Sequence, residues 1–127
     1  MNAKQNFFYK KKILIYGFGK SGRASYKYLN QRSDCKIIDD NIKNIPFQFK
    51  SKLINYNKLK STYFDYIVLS PGIDIKNCKL SSYLKKNINK VVTDLDIFYL
   101  DHPKIKKITI TGTNGKSTTS KLLFDVL

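Results

Sequence analysis

The sequence predicts an α/β fold whose sheet is mostly parallel, and three features of the chain carry that prediction. Short apolar runs recur and stop at turn residues, as buried parallel strands do. The first of them leads directly into Gly17-Phe18-Gly19-Lys20-Ser21-Gly22, a glycine loop that opens a helical pattern. Near the other end, a second glycine loop, Gly112-Thr113-Asn114-Gly115-Lys116-Ser117-Thr118, again stands between a strand-like alternation and a helical run.

In order along the chain, Met1 to Tyr9 has no periodicity and reads as a loose lead-in. Lys12 to Tyr16 is the first strand, and Arg23 to Gln31 has Ala24, Tyr28 and Leu29 at helical spacing. The next apolar run, Cys35 to Ile38, ends at Asp39. Strand, GxGxxG, helix, strand and acid is the Rossmann order, in which backbone N–H groups of the glycine loop and the positive end of the helix receive a phosphate or pyrophosphate. Asp39 at the strand end is placed to bond a ribose or a base edge; read blandly, it is a helix cap or a solvated loop acid.

Asp40 to Lys50 reads as loop, followed by a short apolar piece at Leu53-Ile54 and a short helix over Asn57 to Thr62. Asp65 to Leu69 is a strand ending in Ser70-Pro71-Gly72-Ile73, a turn at the carboxyl end of the strand, where open α/β sheets bind ligands. Leu80, Tyr83, Leu84 and Ile88 predict an amphipathic helix over Lys79 to Asn87. Val91 to Thr93 reads as a strand, and Asp94 to Asp101 as a short helix capped by Asp94. His102-Pro103 breaks the pattern and marks a domain boundary, dividing the chain into 1–103 and 104–127. His102, the only histidine, reads as a surface residue of the linker.

Ile105, Ile108 and Ile110 alternate as a strand beginning near Lys104, and Lys121 to Leu127 continues as a helix. Between them the Gly112 to Gly115 backbone can face phosphate oxygens, Lys116 adds a full charge, and the Ser117 hydroxyl is suited to Mg²⁺. The generic phosphate-loop pattern fails at one position, where Ile110 stands in place of glycine.

Lys and Arg number 24 against 9 acidic residues, a net charge of +15. Only Arg23 and Arg32 are Arg, every acid is Asp, and Glu and Trp are absent while Lys, Asn, Ile, Tyr and Phe abound. Such composition follows codon bias in an A+T-rich genome. No basic helix or aromatic RNA-binding strand accompanies the charge, so it suits steering of polyanionic substrates and does not predict nucleic-acid binding. Cys35 and Cys78 lack metal or redox spacing and read as packing residues of a cytoplasmic protein. The apolar run Ile13 to Tyr16 is too short for a signal peptide or a membrane span.

The stretch Thr111-Gly112-Thr113-Asn114-Gly115-Lys116-Ser117-Thr118 resembles the ATP loop of the Mur ligase family and its folylpolyglutamate synthase relatives. Four pieces in one order sharpen the resemblance: GxGxxG at Gly17, Asp39, Ser70-Pro71-Gly72-Ile73 and the Gly112 loop. The segment Val91 to Phe98 is similar to the family's Asp-Ile-Glu-Leu-Phe segment, with Asp96 in place of the Glu and Thr93 where Gly is common. The order favours the branch that adds D-glutamate to UDP-N-acetylmuramoyl-L-alanine.

The resemblance implies a Rossmann-like UDP-binding domain followed by the first strand, phosphate loop and helix of an ATPase domain, in a monomer. It implies that Gly19, Lys20, Ser21 and Gly22 lie by the pyrophosphate, Asp39 and Asp40 near the uridine, and Ser70, Pro71 and Gly72 by the diphosphate and sugar. ATP would be held by Gly112, Thr113, Asn114, Gly115, Lys116, Ser117 and Thr118, with Lys116 as the catalytic cation and Ser117 as a Mg²⁺ ligand. ATP would phosphorylate the L-alanyl carboxylate, and the amine of D-glutamate would attack the acyl phosphate. Some members have Thr-Arg after the strand-end Asp, where this chain has Asp40-Asn41. The remaining metal ligands and the D-glutamate-binding domain of the family are expected beyond Leu127, so the chain is expected to be an amino-terminal piece, inactive alone.

Two other readings stand beside this one. An NAD-binding oxidoreductase rests on Gly17 to Gly22 with Asp39 and leaves the second loop unexplained. A basic binding module without catalysis rests on the charge alone.

Overall fold

The computed structural model describes residues 7–127. Four strands form one sheet: β1 (Lys12–Tyr16), β2 (Asp34–Ile38), β3 (Tyr66–Leu69) and β4 (Val91–Val92). Their order is β2-β1-β3-β4 and every pairing is parallel, with Ile13 opposite Cys35 and Tyr66. Five helices accompany them: α1 (Lys20–Leu29), α2 (Tyr56–Leu59), α3 (Ser81–Lys86), α4 (Asp94–Asp101) and α5 (Lys116–Val126).

Because side chains alternate across a strand, β1 divides its residues between two cores. Ile13 and Ile15 join Leu29 of α1 and Ile97 of α4 on one face. Leu14 and Tyr16 join Leu59 of α2 and Leu80 and Leu84 beside and within α3 on the other. The result is a three-layer α/β/α arrangement with β1 wholly inaccessible from Ile13 to Tyr16. The chain runs from β1 to one neighbour, β2, and then crosses to the other side for β3, so the strand order reverses between β1 and β3.

Several expectations need correcting. The lead-in Met1 to Tyr9 falls partly outside the described residues, but Phe8 is fully buried and packs edge-on against Tyr66 at 5.4 Å. Its aromatic area makes that burial favourable, and Lys10 N–H donates to the Arg32 carbonyl at 2.8 Å to hold the segment down. Helix α1 begins at Lys20, three residues early, since the last part of the glycine loop is already its first turn. The expected loop after Asp39 contains two 3₁₀ turns, Ile42–Asn44 and Phe47–Lys52; the second brings Phe49 to within 4.9 Å of the Phe18 ring centroid.

Thr93, not Asp94, caps α4. Its hydroxyl accepts from Asp96 N–H, and Asp96 accepts in return from Thr93 N–H at 2.8 Å, a capping box worth about 1 kcal/mol. Residues 106–110 form no strand, because a strand requires a hydrogen-bonded neighbour and none lies alongside among the described residues. His102 is half-buried: its Nε2 lies 3.3 Å from the Tyr28 hydroxyl. The adjacent Asp101 accepts from Tyr28 at 2.7 Å and pairs with Arg32 at 3.5 Å, tying α4 to α1.

Beyond Pro103 burial ends. No residue of α5 is buried, and Leu122, Phe124 and Val126 are all exposed. An 11-residue helix without a packed face is marginal in water. Native-state hydrogen exchange should therefore show α5 amides exchanging at least about a hundredfold faster than those of Ile13 to Tyr16; equal protection would mean that α5 is covered in solution.

Two glycines fix how the loop after β1 folds. Gly17 has φ +88°, and a Cβ there would lie 2.7 Å from Ile73 Cδ1. At Gly22 a Cβ would lie 1.9 Å from the Gly17 carbonyl oxygen, a clash with backbone that no rotamer relieves. Gly22→Ala should accordingly lower stability by about 2 kcal/mol or more, measured by urea unfolding. Gly19→Ala, where nothing lies within 4 Å, should cost less.

Candidate functional site

The reversal between β1 and β3 opens a crevice at the carboxyl ends of these strands, and the glycine loop enters it. Gly17 N–H donates to the Ile38 carbonyl at 2.9 Å as the last rung of the β1–β2 ladder. The chain then turns through Phe18 and Gly19 into α1. Gly19 is the N-cap and offers no side chain, and the first turn contains no acid, so the amino end of α1 keeps its positive character. Lys20 is exposed there and Ser21 half-buried. Open space at Gly19 leaves room for an anion to approach the backbone.

Two side chains from other strands pin this loop. From β3, Ser70 Oγ donates to the Gly17 carbonyl at 2.8 Å, while Ser70 N–H donates to the Tyr16 carbonyl at 3.0 Å. From the end of β2, Asp39 accepts from Phe18 N–H at 2.6 Å through Oδ2 and from Asn41 N–H at 2.7 Å through Oδ1. A carboxylate accepting two backbone N–H groups holds a turn firmly. Asp39 thus acts as a clasp for the loop, and each oxygen retains a further lone pair. Arg23 adds an Nε contact to the Phe18 carbonyl at 3.2 Å.

Gly19, Lys20, Ser21, Gly22, Asp39 and Ser70 are therefore gathered around one turn. Pro71 and Gly72 form the exposed turn that follows Ser70, closed by Ile73 N–H on the Ser70 carbonyl at 3.0 Å. Asp40 points its carboxylate to tyrosines: Tyr16 donates at 3.0 Å and Tyr56 at 2.6 Å. Burial first, then the hydrogen bond to the Asp40 carboxylate, push the pKa of both hydroxyls up, so they remain donors. Neither tyrosine was legible as a site residue, since in sequence Tyr16 is one more member of an apolar strand.

Beside Asp39 lies a cavity of about 210 Å³ with Ile38, Ile42, Leu53, Ile54 and Tyr56 on its walls. A larger hollow, about 770 Å³, lies between α2 and α3 with Lys60, Lys79 and Lys86 on its rim. The smaller one is the better candidate, because Asp39, which clasps the glycine loop at the end of β2, lines it and does not line the larger.

The second loop is separate: among the described residues no hydrogen bond or ion pair joins residues 112–118 to residues 17–22. Gly112 has φ +146° and Gly115 φ +76°, backbone that favours glycine at both positions. Gly115 is the N-cap of α5, again without a side-chain cap and without an acid in the first turn. The Lys116 ammonium donates to the Gly112 carbonyl and so lies across the loop. The Ser117 hydroxyl has no partner among the described residues, and Thr113, Asn114 and Thr118 are exposed. These groups fit a polyphosphate with its Mg²⁺: N–H donors, one cation and an available hydroxyl. The described residues contain no group of three or more His, Cys, Asp or Glu suited to holding a metal. No described helix is long and apolar enough to cross a membrane.

No protein-family model matches the chain. Curated proteins do. It is 35% identical over 126 residues to the UDP-N-acetylmuramoylalanine–D-glutamate ligase of Rickettsia prowazekii (strain Madrid E), covering 96% of this chain and 28% of that protein. It is 33% identical over 123 residues to the enzyme of the same name from Rickettsia bellii (strain RML369-C), covering 93% and 27%. The Haemophilus influenzae (strain PittEE) enzyme is 34% identical over 136 residues, covering 99% and 29%. The chain therefore spans little more than a quarter of the length of the curated relatives it matches. Similarity at this level, along nearly all of the chain and to enzymes from organisms as different as these, sets it beside the UDP-N-acetylmuramoylalanine–D-glutamate ligases, in line with the resemblance of its two loops to the Mur ligase family.

Proposed function

We propose that this chain is the nucleotide-handling part of an ATP-dependent ligase of peptidoglycan precursor synthesis, acting in the cytoplasm as a monomer, and that it joins D-glutamate to UDP-N-acetylmuramoyl-L-alanine. The observation that carries the reading is the glycine loop at the sheet reversal, clasped by Asp39 and Ser70, in a chain similar over its whole sheet to ligases with that name.

In this reading residues 1–103 bind the UDP-sugar and residues 104–127 begin the ATP-binding domain. The backbone of Gly19, Lys20, Ser21 and Gly22, at the positive end of α1, receives the pyrophosphate, with the Lys20 ammonium beside it. Asp39 and Asp40 lie at the nucleoside end, next to the apolar cavity. Ser70, Pro71 and Gly72 approach the diphosphate and sugar from β3. At the second loop, Gly112 to Gly115 cradle ATP, Lys116 neutralises its phosphates, Ser117 binds Mg²⁺ and Thr118 completes the site. ATP supplies a phosphoryl group to the L-alanyl carboxylate, releasing ADP; the D-glutamate amine displaces phosphate to form the amide. For this Lys116 must leave the Gly112 carbonyl for the phosphates.

The NAD reading is disfavoured by the sheet. Four strands supply one nucleotide-binding half, which suits a ligand with one nucleoside.

A ligand that binds the native state alone stabilises it by about 2.7 kcal/mol at a hundredfold excess over Kd. UDP-N-acetylmuramoyl-L-alanine should thus raise the melting temperature of the chain, and NAD should leave it unchanged. A shift with NAD and none with the UDP-sugar would favour the oxidoreductase. In a full-length protein carrying this chain, Lys116→Ala should lower turnover on the order of a hundredfold or more with UDP-sugar affinity unchanged, measured by steady-state kinetics and calorimetry. Undiminished turnover would remove Lys116 from the ATP site.

A further inference from the structure

Asp40 is exposed, yet its carboxylate is committed within the chain. Tyr16 donates to Oδ1 and to Oδ2, each at 3.0 Å, and Tyr56 donates to Oδ1 at 2.6 Å. Lys79 Nζ reaches the Asp40 carbonyl at 3.5 Å. The Tyr16 ring is fully buried in the core shared by β1, α2 and α3, so its hydroxyl is a fixed post driven through the sheet end. Tyr56 is half-buried and opens the short helix α2, which Asn55 caps by accepting from Lys58 N–H at 2.9 Å. Two donors on separate elements therefore converge on one acid. The residue before that acid is Asp39, which clasps Phe18 and Asn41.

We propose that Asp40 is a positioning residue and not a ligand contact: Tyr16 and Tyr56 hold its carboxylate and thereby set the turn Asp39 to Asn41 in the shape that clasps the glycine loop and receives the nucleoside end of the ligand. The proposal rests on reading the Gly17 to Gly22 loop as a nucleotide site. Its physical content is preorganisation. A turn at a strand end has several backbone states of similar energy, and a ligand that must select one of them binds more weakly by the fraction that is not competent. Two hydroxyl donors on one carboxylate, Tyr16 forked between both oxygens and Tyr56 on Oδ1, remove the alternatives before the ligand arrives. They also engage a negative charge that would otherwise stand free near a diphosphate. Where some relatives were expected to place Thr-Arg, this chain has an acid that is held by its own tyrosines.

The geometry separates this role from direct contact. Both hydroxyls reach Oδ1, so Asp40→Asn, with its amide oxygen in that place, keeps an acceptor for each tyrosine while removing the charge. Asp40→Ala keeps neither. Tyr16→Phe and Tyr56→Phe preserve the rings and delete only the donors.

Calorimetric titration of the 127-residue chain with UDP is the test, alongside hydrogen exchange at Phe18 and Asn41 N–H and the melting temperature. Asp40→Asn should bind UDP within about twofold of the unaltered chain. Asp40→Ala and the Tyr16→Phe/Tyr56→Phe pair should each lose about tenfold, as expected for hydrogen bonds to a charged group. The triple variant should lose no more than either, because all act through one linkage. Exchange at Phe18 and Asn41 should quicken in the weakened variants while that of Leu14 and Ile15 does not. Tyr56→Phe alone, at a half-buried position, should show the same pattern in smaller measure if Tyr16→Phe unfolds the chain. Equal losses for Asn and Ala, additive losses, or unchanged exchange at Phe18 and Asn41 would overturn the positioning role. Failure of the unaltered chain to bind UDP would overturn the nucleotide reading itself, and the positioning role with it.

Discussion

With only a hydrogen where other residues carry a Cβ, Gly22 lets the first turn of α1 descend onto the Gly17 carbonyl, and most of the site follows from that approach. The same carbonyl accepts from Ser70 Oγ, so β1, α1 and β3 meet at one atom. Were α1 held away by the bulk of a single methyl group, its amino end would leave the crevice. The positive end of the helix, the turn clasped by Asp39 and the strand end at Ser70 would then no longer face one point. Anion binding by backbone depends on such convergence, since each N–H contributes little and only their common aim makes a site.

The two glycine loops illustrate different uses of the residue. In the first, glycine is required by packing at Gly17 and Gly22 and leaves open space at Gly19. In the second, no Cβ contact within 3.4 Å is at stake, and glycine serves the positive φ at Gly112 and Gly115. The first loop is braced by neighbouring strands, whereas the second stands on an exposed helix whose apolar residues have no cover. Its Lys116 accordingly finds the Gly112 carbonyl, the acceptor nearest to hand.

Charge acts on a longer scale. A chain at +15 attracts anions from solution, but the contacts that hold the first loop are short hydrogen bonds to its backbone, and two of the acids near it are spent on structure. Asp39 binds N–H groups and Asp40 binds hydroxyls, so neither presents a bare carboxylate to an approaching anion. This division lets acids stand beside the proposed phosphate-binding loop without opposing it.

The strands, their parallel arrangement and the GxGxxG turn were legible in the sequence because each is a local pattern: period two or continuous apolarity in a strand, glycine at a fixed spacing, a helical period behind it. The candidate residues Gly19, Lys20, Ser21, Gly22, Asp39 and Ser70 were legible for the same reason, as punctuation at strand ends. The roles of the two acids were not. Whether Asp39 meets a ligand or a backbone amide depends on where Phe18 lies, twenty-one residues away in sequence, and Asp40 depends on tyrosines from β1 and α2. The strand expected after Pro103 failed because alternation states only a capacity to pair, and pairing needs a neighbour. Phe8 went the other way: nothing in its surroundings in sequence foretold burial, which the ring of Tyr66 and the edge of the core supplied. Local chemistry thus determined the elements and the loops in this chain, while contacts between residues distant in sequence decided which polar groups remain available to a ligand, because a hydrogen bond is satisfied by whatever the fold brings within reach.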